Sequence, residues 1–385
     1  MACDIHWRNP VFDRRVVLKL RRFDDHGGTS LMTRSTAQRI AYHLFALTLI
    51  LLMLSAGAGL LTVLCLLPDA LLAAQLPQID ATLLLTLAIH LGLITSAVYI
   101  FADTPTTLIN TQQNHSKWRG LRISLIAGLT MSILFPAWRL QLGYPLAAVA
   151  PAFWLMRRFS HVRPEWAALG LRSVSGLLAV AGLLAILAPL HPLIGLAAAA
   201  FIPLAYMIFA AHTHRAFSDP NANRTLAAYW LALAILLFLL ANGVMGALHT
   251  FEAVRRWTDG TRIEDLQTWL SLWAMMALIL GVINQAGAEL RGENRWITGL
   301  LPYWCIAFGT FGASLALFSV GLVEIYLTRV LTIGAMETAA YSKPLVLFWL
   351  FGLFWQALGI LFYALGFWAR RPIIHKESAH DAMDG

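Results

Sequence analysis

The chain has very little charge for its length. Asp, Glu, Lys and Arg together make up 12% of its 385 residues, whereas soluble globular domains carry about 25% charged residues. Apolar side chains make up 59% of the chain, and its mean hydropathy is +0.67. So little polar surface cannot cover a water-exposed globule. The composition excludes a soluble enzyme and a disordered chain, and it predicts a polytopic membrane protein.

Cysteine is also scarce. Cys3, Cys65 and Cys305 lie far apart and form no CxxC pair, which argues against a disulfide framework and a thiolate metal site. The net charge of +8 lies on short segments between apolar runs, which indicates membrane topology and contact with anionic lipid. We therefore predict the lipid bilayer as a partner, no nucleic-acid partner and no metal site.

Ten apolar runs approach or exceed the roughly 20 residues that a helix needs to cross a bilayer. They lie at residues 40–66, 80–102, 119–136, 142–157, 167–190, 192–211, 225–249, 267–288, 299–322 and 344–368. The predicted fold class is all-α, a polytopic membrane helix bundle of about ten transmembrane helices.

The basic residues predict the topology of this bundle. We expect a basic amino-terminal arm (1–38), the transmembrane bundle (39–370) and a carboxy-terminal tail (371–385). Lys and Arg are concentrated in the arm, the tail and the even-numbered gaps, which the positive-inside rule assigns to the cytoplasm. The exception is 250–265, where basic and acidic residues are mixed. This pattern predicts a multi-pass protein of a bacterial-type inner (cytoplasmic) membrane with both termini cytoplasmic.

Ionisable residues inside the spans are the first functional candidates, because each is costly in lipid unless it is paired or bound. No span centre carries Asp or Lys, which argues against an ion-coupled transporter. His90 lies in the middle of the second span and His249 ends the seventh. Each is a candidate haem ligand, since six-coordinate haem needs two axial ligands, commonly imidazoles from facing helices. A packed histidine at His90 and an interfacial histidine at His249 are the alternatives.

Several segments of the second half carry a family resemblance. They are residues 203–209 (PLAYMIF), 219–224 (DPNANR), 241–250 (ANGVMGALHT), 259–262 (DGTR) and 321–331 (GLVEIYLTRVL). In order and spacing they resemble segments of the large subunit of bacterial nitric oxide reductases, a branch of the haem–copper oxidase superfamily. The resemblance runs from about residue 192 to the carboxy terminus. It implies a subunit I-like bundle that is two spans short of the family's usual twelve.

The resemblance also implies cofactor ligands that this chain lacks. The family's tenth span begins Ala-Ala-His-Gly-His, with one ligand for each haem, whereas residues 265–269 here read Asp-Leu-Gln-Thr-Trp. The family's adjacent histidines for non-haem iron would fall near 177–183, and no His-His pair occurs in the chain. We therefore expect no cofactor. Trp269 and Trp273 are then candidates to fill the volume that haem would occupy.

Three hypotheses follow. The leading one is a non-catalytic relative of the reductase large subunit, without catalytic residues, that acts as an accessory, assembly or interaction partner of a respiratory complex. The first alternative is a divergent haem-b-containing respiratory reductase. Its haem would be bound by His90 and His249, which would have to lie at one depth on facing spans, or by other ligands that the sequence does not identify. The second alternative is a small-molecule transporter or sensor, which a polar-lined cavity open to one side would favour.

Overall fold

The computed structural model describes residues 28–65, 80–103, 112–159, 164–218, 226–290 and 299–369. These residues form helices and no strands. The eleven α-helices of seven or more residues among the described residues are α1 (Gly28–Cys65), α2 (Ala81–Asp103), α3 (Gln112–Leu134), α4 (Tyr144–Phe159), α5 (Pro164–Leu187), α6 (Pro192–Phe217), α7 (Leu226–Phe238), α8 (Glu252–Thr258), α9 (Arg262–Leu290), α10 (Leu300–Ile325) and α11 (Ala335–Ala369). The predicted all-α class is confirmed.

Eight segments among the described residues are long and apolar enough to cross a bilayer. A helix satisfies its backbone hydrogen bonds within itself, which lipid requires of any spanning segment. These segments are Ile40–Leu64, Ala81–Phe101, Ser173–Leu190, Pro192–Phe217, Leu226–Leu248, Arg262–Leu290, Leu300–Val330 and Glu337–Ala369. The chain is therefore a multi-pass membrane protein.

The two other predicted spans, 119–136 and 142–157, correspond to α3 and α4. In α3 the apolar segment is Arg122–Leu134, which is too short for a full span. Helix α4 has 16 residues and is also short for a span. A 3₁₀ turn (Pro136–Trp138) and a π-helical turn (Arg139–Gly143) join the two helices. Ten long helices thus follow the predicted runs, and eight of them have the length and composition of a full span.

Several helix boundaries differ from the predicted ones. Helix α1 begins at Gly28, so residues 28–38, which were assigned to the basic arm, form its first turns. Helix α9 begins at Arg262 and α11 at Ala335, earlier than the apolar runs they contain. The reason is that a helix continues through polar residues at its ends, where apolar periodicity gives no signal. Residues 1–27 of the arm and the whole tail lie outside the described residues.

Helix α9 is the centre of the bundle. Every residue from Leu270 to Asn284 is buried, and α9 contacts α2, α4, α7 and α10. Small residues let two of these neighbours approach closely. A Cβ on Gly92 of α2 would lie 2.6 Å from Ile279 Cγ2, and one on Gly281 would lie 3.1 Å from Trp230 Cβ of α7.

Helices α10 and α11 pack together along small residues. Gly309 and Ala313, which the sequence places on one face, are both buried, and Gly352 of α11 lies against them. A Cβ on Gly309 would lie 2.5 Å from Gln356 N, whereas one on Gly312 would lie 3.7 Å from its nearest neighbour, Gly352 Cα. The close backbone contact therefore depends on Gly309 rather than on Gly312.

We expect Gly309→Ala to destabilise the protein by about 1–3 kcal/mol, because the added methyl group meets backbone atoms that cannot rotate away. Gly312→Ala is the matched control and should change stability little. The measurement is unfolding in mixed detergent micelles, followed by circular dichroism. Equal effects of the two substitutions would contradict the observed packing.

Candidate functional site: a polar cavity at one end of the bundle

A cavity of about 260 Å³ lies between α5, α6, the end of α7, α8 and the start of α9. It lies at the end of the bundle that carries α8, which we call the α8 end. Its lining combines small residues of α5 with amide, imidazole and charged side chains from the other segments. A polar-lined cavity is the feature that the transporter or sensor hypothesis requires.

The deepest polar residue of the lining is Asn242. It lies in a π-helical turn, Leu239–Met245, that interrupts the seventh span, and such turns are frequent at functional sites. Asn242 is 4% exposed. Its Oδ1 accepts a hydrogen bond from Ser271 Oγ at 3.2 Å. The Tyr206 hydroxyl lies near the Asn242 side chain and interacts with it, but its geometry leaves Asn242 Nδ2 without a normal hydrogen bond.

His249 and Gln267 form the second polar element. His249 Nδ1 lies 2.6 Å from Gln267 Oε1. Because a carbonyl oxygen only accepts, Nδ1 carries the proton and Nε2 of the neutral ring is an acceptor. His249 Nε2 is buried and has no partner. The contact ties the end of the seventh span to the first turns of α9, across 18 residues of sequence.

Gln141 comes from the π-helical turn between α3 and α4. Its main chain approaches α5 so closely that a Cβ on Gly182 would lie 2.7 Å from Gln141 O. Gly182 therefore allows this turn to reach the cavity. Gln141 Oε1 is buried without a hydrogen-bond partner, so it is a third unsatisfied polar group of the lining.

The cavity wall formed by the end of α5 consists of small residues, which leave space for the cavity. Ala181, Ala185 and Ala188 line the cavity together with Gly182. Ala181 and Ala185 are spaced at i and i+4, so they share one face of α5, and Ala188 lies in the 3₁₀ turn that directly follows the helix. Larger side chains at these positions would occupy the volume, and the cavity therefore depends on small residues.

Charged side chains lie toward the outer part of the lining. Arg255 is half-buried, while Asp259 and Glu264 are exposed, and all three line the cavity. The start of α9 is held in place by α10, because Glu324 Oε2 accepts a hydrogen bond from Arg262 N at 2.8 Å. Positive and negative groups are mixed here, so the opening favours neither sign strongly.

His90 has different surroundings from His249. Its Nδ1 lies 2.9 Å from Thr86 O and its Nε2 lies 3.2 Å from Ser132 Oγ. The ring is also 5.8 Å from the Tyr144 ring. Within the described residues the two histidines share no hydrogen-bond partner. The contacts of His90 are those of a packed, hydrogen-bonded histidine.

The residues at the expected haem positions do not fit haem. Gln267 is engaged by His249, and the ring of Trp269, which cannot ligate iron, is 5.8 Å from that of Trp273. The cavity beside Gln267, at about 260 Å³, is smaller than the roughly 300–1,000 Å³ of pockets that take drug-sized ligands, and haem is at least as large as such ligands. No group of three or more His, Cys, Asp or Glu able to hold a metal occurs in the part of the chain that the structure describes.

Asn242 and Gln141 were not among the predicted site residues. Only ionisable groups inside the spans were candidates, and these two amides are uncharged. Asn242 lies within the quoted segment 241–250, where a buried amide in an apolar run was a usable signal. Gln141 lies in a connection, and nothing in its sequence context indicates that it reaches α5.

The comparison with known protein families finds no match for this chain. The resemblance to the reductase large subunit therefore remains a prediction, and it rests on the segments quoted above. The cavity, in contrast, follows from the geometry of the described residues alone.

If the cavity admits solvent, a cysteine in its wall should react with a water-soluble thiol reagent. We expect Ala185→Cys to be labelled at least about tenfold faster than Leu178→Cys, since thiol reactivity follows exposure. Leu178 is a buried residue of the same helix outside the cavity. The background should carry Cys3→Ser, Cys65→Ser and Cys305→Ala. Equal labelling rates would show that the cavity is closed to solvent.

Proposed function

We propose that this chain is a non-catalytic membrane relative of the large subunit of bacterial nitric oxide reductase. In this role it serves a respiratory complex as an accessory, assembly or interaction partner and carries no redox cofactor of its own. The resemblance of the segments between residues 203 and 331 supports the proposed relationship. The chemistry of the side chains at the expected ligand positions supports the loss of catalysis.

The main support for the proposal is the kind of side chain found at the two expected haem-ligand positions. Gln267 uses its carbonyl oxygen to accept the hydrogen bond from His249, so it acts as a structural tie. Trp269 packs against Trp273, which is 3% exposed. Membrane-protein cores are close-packed, so loss of a large cofactor requires that side chains refill its volume. Two tryptophans one turn apart are suited to that role.

We further propose that both termini are cytoplasmic and that the cavity opens on the opposite side of a bacterial-type inner membrane. Arg122, Arg157, Arg158 and Arg215 lie toward the end opposite α8, where acidic residues are few. At the α8 end, Arg255 and Arg262 are mixed with acidic residues. The positive-inside rule assigns the more uniformly basic end to the cytoplasm.

The purified protein should contain no stoichiometric haem. A pyridine haemochrome assay on protein purified from haem-replete cells is the measurement, with a haem-b membrane protein prepared in parallel as the positive control. One haem b per chain would overturn the proposal and favour the divergent reductase. In that case His90→Ala and His249→Ala should each abolish the Soret band.

An accessory role predicts an effect on another complex. Deleting the gene in the native host should lower the amount of an assembled haem-containing respiratory complex, because its assembly partner is missing. Native gels of membranes, stained for haem, measure this. Complementation with the intact chain should restore the complex. Unchanged levels of every haem-stained complex would contradict the accessory role.

Ligand binding is a second candidate function, and the polar cavity favours it. The cavity is open toward the α8 end, and its lining holds unsatisfied polar groups. A sensor or transporter needs such a site. In an accessory protein the same site would make its association responsive to a small molecule.

A further inference from the structure

We propose that the cavity at the α8 end binds a small, uncharged solute that carries hydroxyl or amide groups. The inference deepens the second candidate function and rests on it. It assigns the class of ligand from the side chains of the lining.

Three polar groups of the cavity lining make no hydrogen bond of normal geometry within the protein, although the Tyr206 hydroxyl lies near the first of them. They are Asn242 Nδ2, a donor; His249 Nε2, an acceptor; and Gln141 Oε1, another acceptor. Among the described residues, the other buried side-chain polar atoms without partners belong to tryptophan and tyrosine. The unsatisfied amide and imidazole groups are therefore concentrated in one cavity. Buried polar groups are normally hydrogen-bonded, so this concentration indicates a ligand or solvent that completes them.

The deep part of the lining selects against ions. Asn242 and Gln141 are neutral amides, and the hydrogen bond from His249 Nδ1 to Gln267 Oε1 needs no charge on the ring. A charged ligand in contact with these groups would lose its hydration without gaining a counter-ion, which is costly. The charged residues of the lining lie toward the opening, where Arg255 is positive and Asp259 and Glu264 are negative. An uncharged solute with donors and acceptors matches the neutral groups at lower cost.

The size of the cavity limits the ligand. Its volume of about 260 Å³ far exceeds the 10–15 Å³ that a single water needs, and it is just below the roughly 300 Å³ at which pockets for drug-sized ligands begin. A short polyol or a small amide fits this range, whereas a haem or a lipid does not. Two acceptors and one donor in the lining also match hydroxyl and amide groups, which donate and accept.

Saturation-transfer NMR on the full chain in lipid nanodiscs tests the proposal. The probes are glycerol, erythritol and acetamide, together with acetate and acetamidinium, which have nearly the shape of acetamide but carry a charge. We expect saturable binding of at least one uncharged probe. We expect acetate and acetamidinium to bind at least about tenfold more weakly than acetamide, because the deep groups offer no counter-ion. No variant is needed for this comparison.

Variants locate the binding site. Asn242→Leu should weaken binding about tenfold, as expected for the loss of one hydrogen bond. Ala185→Leu should abolish binding by filling the cavity while leaving the three polar groups in place. Gln356→Leu is the matched control: it removes a buried amide that donates to Thr310 Oγ1 at 2.7 Å, outside the cavity, and should leave binding unchanged.

Three results would overturn the proposal. The first is no saturable binding of any uncharged probe, which would mean that the cavity holds water only. The second is binding of either ion as tight as that of acetamide. The third is equal weakening by Gln356→Leu and Asn242→Leu. Detection of haem would overturn the accessory role and leave these measurements unaffected, so the two proposals can fail separately.

Discussion

The burial of α9 on all sides is the constraint on which the rest of the structure depends. From Leu270 to Asn284 no residue of this helix is left at the surface, so its polar side chains can find partners only inside the protein. Ser271 donates to Asn242 of the seventh span, and Leu280 O accepts from Tyr363 of α11 at 2.6 Å. In lipid no water would replace these partners. The neighbours of α9 are thus oriented by its polar groups as well as by its apolar surface.

The cavity lies where this close packing stops. Around Gly281 and Ile279 the neighbouring helices approach to van der Waals contact. At the start of α9, in contrast, the α5 side chains are alanines and the seventh span changes to a π-helical turn. Empty volume in a core is costly, and so is an unsatisfied amide. The lining combines both costs in one place. Larger apolar side chains in place of Asn242 and Ala185 would remove both costs, so we attribute the lining to a bound solute rather than to imperfect packing.

The sequence predicted the fold better than the site. Fold class depends on composition and on the length of apolar runs, and both can be read directly from the chain; all ten runs correspond to long helices. The site depends on contacts between distant segments. Gln141 reaches the cavity because Gly182 has no side chain to exclude it, and the hydrogen bond between His249 and Gln267 requires a turn that brings α9 back against the seventh span. Neither of these contacts between distant segments is indicated by a local sequence pattern.

Gln267 bears on both the proposed ancestry of the chain and the chemistry of the cavity. In the proposed relationship its position once held a haem ligand; in this structure its side chain holds His249 in one tautomer by accepting from Nδ1. That tautomer leaves Nε2 as an acceptor in the cavity lining. In the proposed relationship, replacement of a haem ligand by glutamine would remove the metal ligand and supply the hydrogen-bond acceptor that His249 uses.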